Sequence, residues 1–147
     1  MRHTREMATL RRSLQLLRSF RFEQTHPEIF YGGLAEDTAA LVDNLGRNLG
    51  VQLPGARVLD VGGGPGYFAD AFARRGAHYV GLEPDAGEMS AAGIHLSNSV
   101  RGDGTNLPFA DESFDVVYSS NVAEHIPNPW DMGEEMPVSY THLRAHE

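Results

Sequence analysis

The sequence predicts a doubly wound α/β fold, and three observations predict it. Short apolar runs alternate with amphipathic stretches from residue 56 onward, a glycine-dense turn follows the first run, and an acidic residue ends the second. Strands and helices in alternation imply right-handed crossovers and so a parallel sheet. With 147 residues the chain has room for one core.

Residues 9–22 read as a helix. Met7, Leu10, Leu14 and Leu17 fall on one arc and Arg5, Arg11, Arg12 and Arg18 mostly on the other, although Leu16 and Arg21 break the pattern. An Arg-rich, acid-poor segment of this kind resembles both a transit peptide and a membrane-surface helix. We expect it to pack on the domain instead. A second helix is expected over residues 34–48, with Leu34, Thr38, Leu41, Val42 and Leu45 at helical spacing and Gly46 or Gly50 at its end. Tyr31, in Phe30-Tyr31-Gly32-Gly33, either belongs to a lid or anchors that helix, and we expect the anchor.

After Pro54-Gly55 the pattern becomes strand 56–61, helix 67–75 closed by Gly76, strand 78–83, helix 85–92 closed by Gly93, and a weak strand near 99–101. Residues 114–120 form the clearest later strand, because Val116, Val117 and Tyr118 make an unbroken β-prone run suited to burial on both faces. Residues 137–147 break the pattern. They look like a reading frame through a transposase sequencing adapter, so the genuine sequence is expected to end near Met136. His142 and His146, four residues apart, fall in that tail without a third ligand, and no metal site is expected there.

Composition narrows the function. The chain is 41% hydrophobic and 22% charged, which excludes disordered, collagen-like and coiled-coil classes. No apolar run reaches the length of a membrane span, and a cytoplasmic location is expected. With no Cys there is no thiolate nucleophile, disulfide framework or Cys-based metal site. The net charge of −8 is uneven: six Arg against Glu6 give +5 before residue 23, leaving −13 for the rest. An acidic body repels nucleic-acid phosphate, so a nucleic-acid partner is not expected.

The sharpest chemical signal is Asp60-Val61-Gly62-Gly63-Gly64-Pro65-Gly66, a turn between a strand and a helix. Glycines let a ligand approach the backbone and allow positive φ, and the following helix presents free N–H groups. The dinucleotide pattern G-x-G-x-x-G fails, since its third glycine position is Tyr67. Glu83 ends the second strand, where a carboxylate can accept both hydroxyls of a ribose. Asp103, in Gly102-Asp103-Gly104, either accepts from an exocyclic amine or caps a turn. His125 follows Glu124 and has the side chain best suited to take a proton near neutrality, or else it orients its loop.

These motifs resemble those of class I S-adenosylmethionine-dependent methyltransferases, in the group that includes the ubiquinone and sterol C-methyltransferases. The resemblance rests on Asp60-x-Gly62-x-Gly64-x-Gly66, Gly81-Leu82-Glu83-Pro84-Asp85, Gly102-Asp103-Gly104-x-x-Leu107-Pro108-Phe109 and Ser119-Ser120-Asn121-Val122-Ala123-Glu124-His125-Ile126-Pro127, in order over residues 56–136. It implies a Rossmann-like sheet of about seven strands, in order 3-2-1-4-5-7-6, of which about four are present here. It further implies a helical cap over residues 1–50, the cofactor-binding half of the domain over 51–136, and S-adenosyl-L-methionine as cofactor. The glycine turn with Asp60, Gly62, Gly63, Gly64 and Gly66 would meet the methionine part, Glu83 beside Pro84 the ribose, and Asp103 with Gly104 the adenine. Asn121 would lie where the chain passes the cofactor, and His125 is the expected catalytic residue. The cofactor carries a sulfonium and an ammonium and no phosphate, so a site ringed by Asp60, Glu83 and Asp103 suits it better than a pyrophosphate. The implied reaction is methyl transfer to a small-molecule or lipid acceptor, and the 147-residue chain is expected to keep much of the cofactor site but lack turnover. An NAD-dependent oxidoreductase, a non-catalytic nucleoside-binding module and an aminopropyl transferase are the alternatives.

Overall fold

Four parallel strands in the order β3-β2-β1-β4 carry the site: β1 (Arg57–Val61), β2 (His78–Glu83), β3 (Ser99–Arg101) and β4 (Val116–Tyr118). The computed structural model describes residues 10–90, 98–120, 122 and 125–138. Around the sheet lie helices α1 (Leu10–Thr25), α2 (Pro27–Asn48), α3 (Ala69–Ala73), α4 (Ala86–Ser90) and α5 (Pro129–Val138). The expected parallel sheet and doubly wound class are present, and the order reverses between β1 and β4, where such folds bind ligands.

The central strand β1 is apolar on both faces because both are covered. Val58 packs with Ala35 and Ala39 of α2, Phe72 of α3 and Tyr79 of β2, while Leu59 and Val61 pack with Leu82, Leu107, Phe114 and Met132. Asp60 shares the Val58 face by the two-residue period of a strand and is only 2% exposed. Ion pairs tie the edges. Glu36 of α2 receives Arg74 and Arg75, and Asp115 accepts from Arg57 through its backbone N–H, Nε and Nη2.

Several boundaries differ from the sequence expectation. α2 begins at Pro27 rather than residue 34, since proline at the first helical turn presets φ and the Gly32-Gly33 pair is carried inside the helix. Its end is as expected: Gly50 at φ +80 follows the cap, with Gly50 N–H bonding Arg47 O and Val51 N–H bonding Gly46 O, a Schellman arrangement. α3 starts at Ala69, not residue 67, because the turn continues through Gly66, whose carbonyl takes the Ala69 N–H. The expected helix over 85–92 is α4, capped by Asp85 Oδ1 accepting from Gly87 and Glu88, and residues 91–97, including the expected stop at Gly93, lie outside the described residues. β4 spans only Val116–Tyr118 and is half-buried rather than buried on both faces, since among the described residues it pairs with β1 alone.

α1 departs most. It lies beside α2, as expected of a helix packed on the domain, but Leu14 is 51% and Leu17 64% exposed, so these two residues of the expected apolar arc face solvent, and Met7 lies outside the described residues. α5 was not anticipated, and it seats Met132 in the core against Leu107 and Val61. Of the expected adapter-derived tail at 137–147, residues 139–147 lie outside the described residues, and α5 runs through Pro137 to Val138. No helix among the described residues is long and apolar enough to cross a membrane.

Candidate functional site

A cavity of about 610 Å³ opens at the carboxyl ends of β1 and β2 and takes in the segment that follows β4. This volume falls within the range of small-molecule sites, roughly 300–1,000 Å³. Its floor is the turn Gly62-Gly63-Gly64-Pro65, with φ of +84 at Gly62 and +52 at Gly64, conformations that side-chain-bearing residues rarely adopt. Close approach adds a second reason for glycine. A β-carbon at Gly62 would lie 2.2 Å from Val122 Cγ2, and one at Gly104 would lie 2.8 Å from Val61 Cγ1. Gly66, at φ +88, is buried behind the turn and closes it by donating its N–H to Gly63 O.

Glu83 sits at the end of β2, and its carboxylate braces two loops. Oε2 accepts from Gly64 N–H at 3.1 Å and Oε1 from Asp85 N–H at 3.1 Å. Pro84 and Glu88 follow it along the wall. On the other side Asp103 caps its turn, with Oδ1 accepting from Thr105 N–H and Thr105 Oγ1, both at 2.8 Å. Those bonds hold its carboxyl below the usual range. The capping role left open in the sequence is therefore real, and Asp103 still lines the cavity beside Gly104.

The expected acidic ring is corrected in one member. Asp60 does not reach the wall. Its Oδ2 accepts from Tyr79 Oη at 2.7 Å and Tyr118 Oη at 2.8 Å beneath the turn, and burial pushes its carboxyl up to about 6. The third carboxylate at the wall is Glu88, so the lining bears Glu83, Glu88 and Asp103 and no arginine among the described residues. Ser120, Val122, His125 and Ile126 complete the side beyond β4, whereas Asn121 and Glu124 lie outside the described residues. His125 is exposed at the cavity mouth, and its backbone N–H bonds Val122 O.

Above the turn, Tyr31 of α2 stacks on Tyr67 with ring centroids 5.0 Å apart and planes 8° from parallel. Its hydroxyl donates to Glu23 of α1 at 2.5 Å, and that bond pushes the phenol up to about 12. Tyr31 thus ties α2 to α1, the expected anchor, and its ring also lines the cavity.

Residues 59–137, which carry the glycine turn and the strands around it, match a family model described as a methyltransferase domain. The chain belongs to the methyltransferase domain family. Among similar proteins is an uncharacterized methyltransferase of Mycolicibacterium gilvum (strain PYR-GCK), 59% identical over 134 residues, covering 88% of this chain and 52% of that one. Another, from Mycobacterium avium (strain 104), is 56% identical over 134 residues, with 88% and 53% covered. The chain thus spans about half the length of the curated relatives it matches. Of solved structures, a Methanococcus maripaludis protein superposes with TM-score 0.61 at 17% identity, over 96% of this chain and 63% of that one. An S-adenosylmethionine-dependent methyltransferase of Mesorhizobium loti gives TM-score 0.54 at 22% identity, with 65% and 46% covered. These two likenesses establish the fold.

Within the methyltransferase domain, Tyr67, Glu88 and Ser120 line the cavity without having been singled out in the sequence. Glu88 had a signal: it follows Asp85 at capping-box spacing, which places it in the first turn after the second strand. Tyr67 had one only by exclusion, as the residue that breaks the dinucleotide pattern.

Proposed function

We propose methyl transfer from S-adenosyl-L-methionine to a small-molecule or lipid acceptor as the reaction these residues serve in a protein of the relatives' length, the 147 residues alone binding the donor without turnover. One observation carries the choice of donor: the cavity wall bears three carboxylates and no arginine among the described residues. Such a wall favours a ligand with a sulfonium and an ammonium and disfavours a pyrophosphate, which argues against an NAD-dependent oxidoreductase. The glycine turn fits the same ligand, because at Gly64 nothing lies within 4 Å of the place a β-carbon would occupy. When bound, S-adenosylmethionine supplies an activated methyl group.

The residues of this chain then divide the work. Gly62, Gly63 and Gly64 admit the methionine part against bare backbone, with Gly66 shaping the turn. Glu83, beside Pro84, accepts the ribose hydroxyls while retaining the Gly64 N–H. Asp103 and the Gly104 backbone take the adenine edge, and Asn121, outside the described residues, is a further candidate for the donor. Holding donor and acceptor in line and excluding water is worth up to about 7–11 kcal/mol. His125 removes the acceptor's proton where the acceptor carries one.

The N-terminal segment supports a lipid-facing role. Leu14, Leu17 and Phe20 are exposed together with Arg18 and Arg21, a combination that suits weak contact with an anionic lipid surface through residues 1–22. Residues 1–9 of that span lie outside the described residues.

Isothermal titration of the folded chain with S-adenosylhomocysteine and, separately, with NADH tests the donor. Saturable heat with the first and none with the second is expected. Binding of NADH alone, or of neither ligand to demonstrably folded protein, overturns the reading.

A further inference from the structure

The structure assigns Tyr79 and Tyr118 as positioning residues: through Asp60 Oδ2, which both hydroxyls share, they fix the Gly62–Gly64 turn and hold an anion beneath it for a cationic ligand. The assignment rests on reading that turn as the seat of S-adenosylmethionine.

The arrangement is built from three strands. In register, Asp60 of β1 lies between Gly81 of β2 and Tyr118 of β4. Tyr79 stands two residues before Gly81 on the same face, and its ring lies over Gly81, where a β-carbon would be in contact at 3.4 Å from Tyr79 Oη. Phe72 of α3 backs both tyrosines, with centroids 5.9 Å from Tyr79 and 5.3 Å from Tyr118, and so locks their rings. The network lies close beneath the turn. A β-carbon at Gly63 would lie 3.0 Å from Tyr79 Oη and 3.4 Å from Asp60 Oδ2. No side chain at Gly63 would fit over the hydrogen-bonded pair without a shift, so the pair limits how far the floor of the cavity can settle, while Leu82 O accepts from the Gly62 and Gly63 N–H groups beside it.

The groups acting on Asp60 are the two tyrosine hydroxyls, from β2 and β4, and the Glu83 carboxylate at the end of β2, while α3 contributes the apolar ring of Phe72. Burial raises the Asp60 carboxyl and the two O–H donors pull it back down. In a buried site the resulting anion acts on a nearby cation through less screening than water would provide. Deprotonation of Asp60 should therefore tighten uptake of a cationic ligand, and losing one O–H donor should move that transition to higher pH.

The test uses the full 147-residue chain as wild type, Tyr79→Phe and Tyr118→Phe. In the free protein, the carboxyl carbon of Asp60 and the amides of Gly62–Gly64 are followed by NMR as pH is raised. The turn amides are expected to move with Asp60, and each Tyr→Phe change should raise the common midpoint by about one pH unit. S-adenosylmethionine binding should strengthen through the same midpoint, more than binding of the neutral thioether S-adenosylhomocysteine. A tyrosine that only fills space would lower affinity equally at every pH and leave the midpoint unmoved; that result in both variants overturns the assignment. If neither variant folds, the wild-type titration decides, and turn amides that stay flat through the Asp60 transition overturn it. Failure of the wild type to bind either ligand overturns the donor reading, whereas the free-protein titration still judges the tyrosines.

Discussion

Asp60, Glu83 and Gly62 illustrate how neighbours assign different work to residue types that look alike in sequence. Asp60 lies one residue before the end of β1 and Glu83 ends β2, yet one is enclosed by tyrosines and the other faces the cavity. Because burial raises the folded Asp60 carboxyl to about 6 from an ordinary 3.8, its contribution to stability is fully present below the lower value and lost as pH rises through the upper one. Relative to Asp60→Asn, the wild type should lose on the order of 3 kcal/mol between about pH 4 and about pH 7.5, measurable by urea unfolding. Glu83→Ala strips acceptors from the Gly64 and Asp85 N–H groups, and S-adenosylhomocysteine binding should weaken roughly 10–100-fold by titration calorimetry. Gly62→Ala combines positive φ with a clash against Val122, and a loss of about 2 kcal/mol or more is expected in thermal unfolding. The sequence showed which residues these were. It did not show that Asp60 turns inward, because its partners are 19 and 58 residues away.

Helices and strands differ in how far their ends could be read. β2 and β3 match the expected limits, since turn-formers bound them closely. α2 was read seven residues short because Gly32-Gly33 looks like a break, and only its packing carries the helix through them. Its C-terminus was legible because Gly50 adopts a left-handed conformation that other residues resist. Gly50→Ala should cost about 1 kcal/mol of stability with the helix otherwise intact by circular dichroism. α1 has an amphipathic pattern, but a pattern does not say what covers it. Leu14→Gln and Leu17→Gln are expected to change stability by no more than about 0.5 kcal/mol in urea unfolding while weakening association with anionic vesicles in a sedimentation assay.

At the scale of the whole molecule, β1 is paired on both sides and buried, while β4 pairs with β1 alone among the described residues. Native-state hydrogen exchange should find the β1 amides slowest and the amides of β4 that point away from β1 among the fastest of the sheet. Strand periodicity, the glycine turn and the acidic composition are local properties, and from them alone the sequence determined the α/β class, the parallel sheet and the turn that floors the cavity. The tertiary structure decided which carboxylates face the cavity, that Tyr31 and Tyr67 stack above it, and that two tyrosines share Asp60 below it. Those outcomes depend on strand register and on helix packing between residues distant in the chain, and no local pattern encodes either.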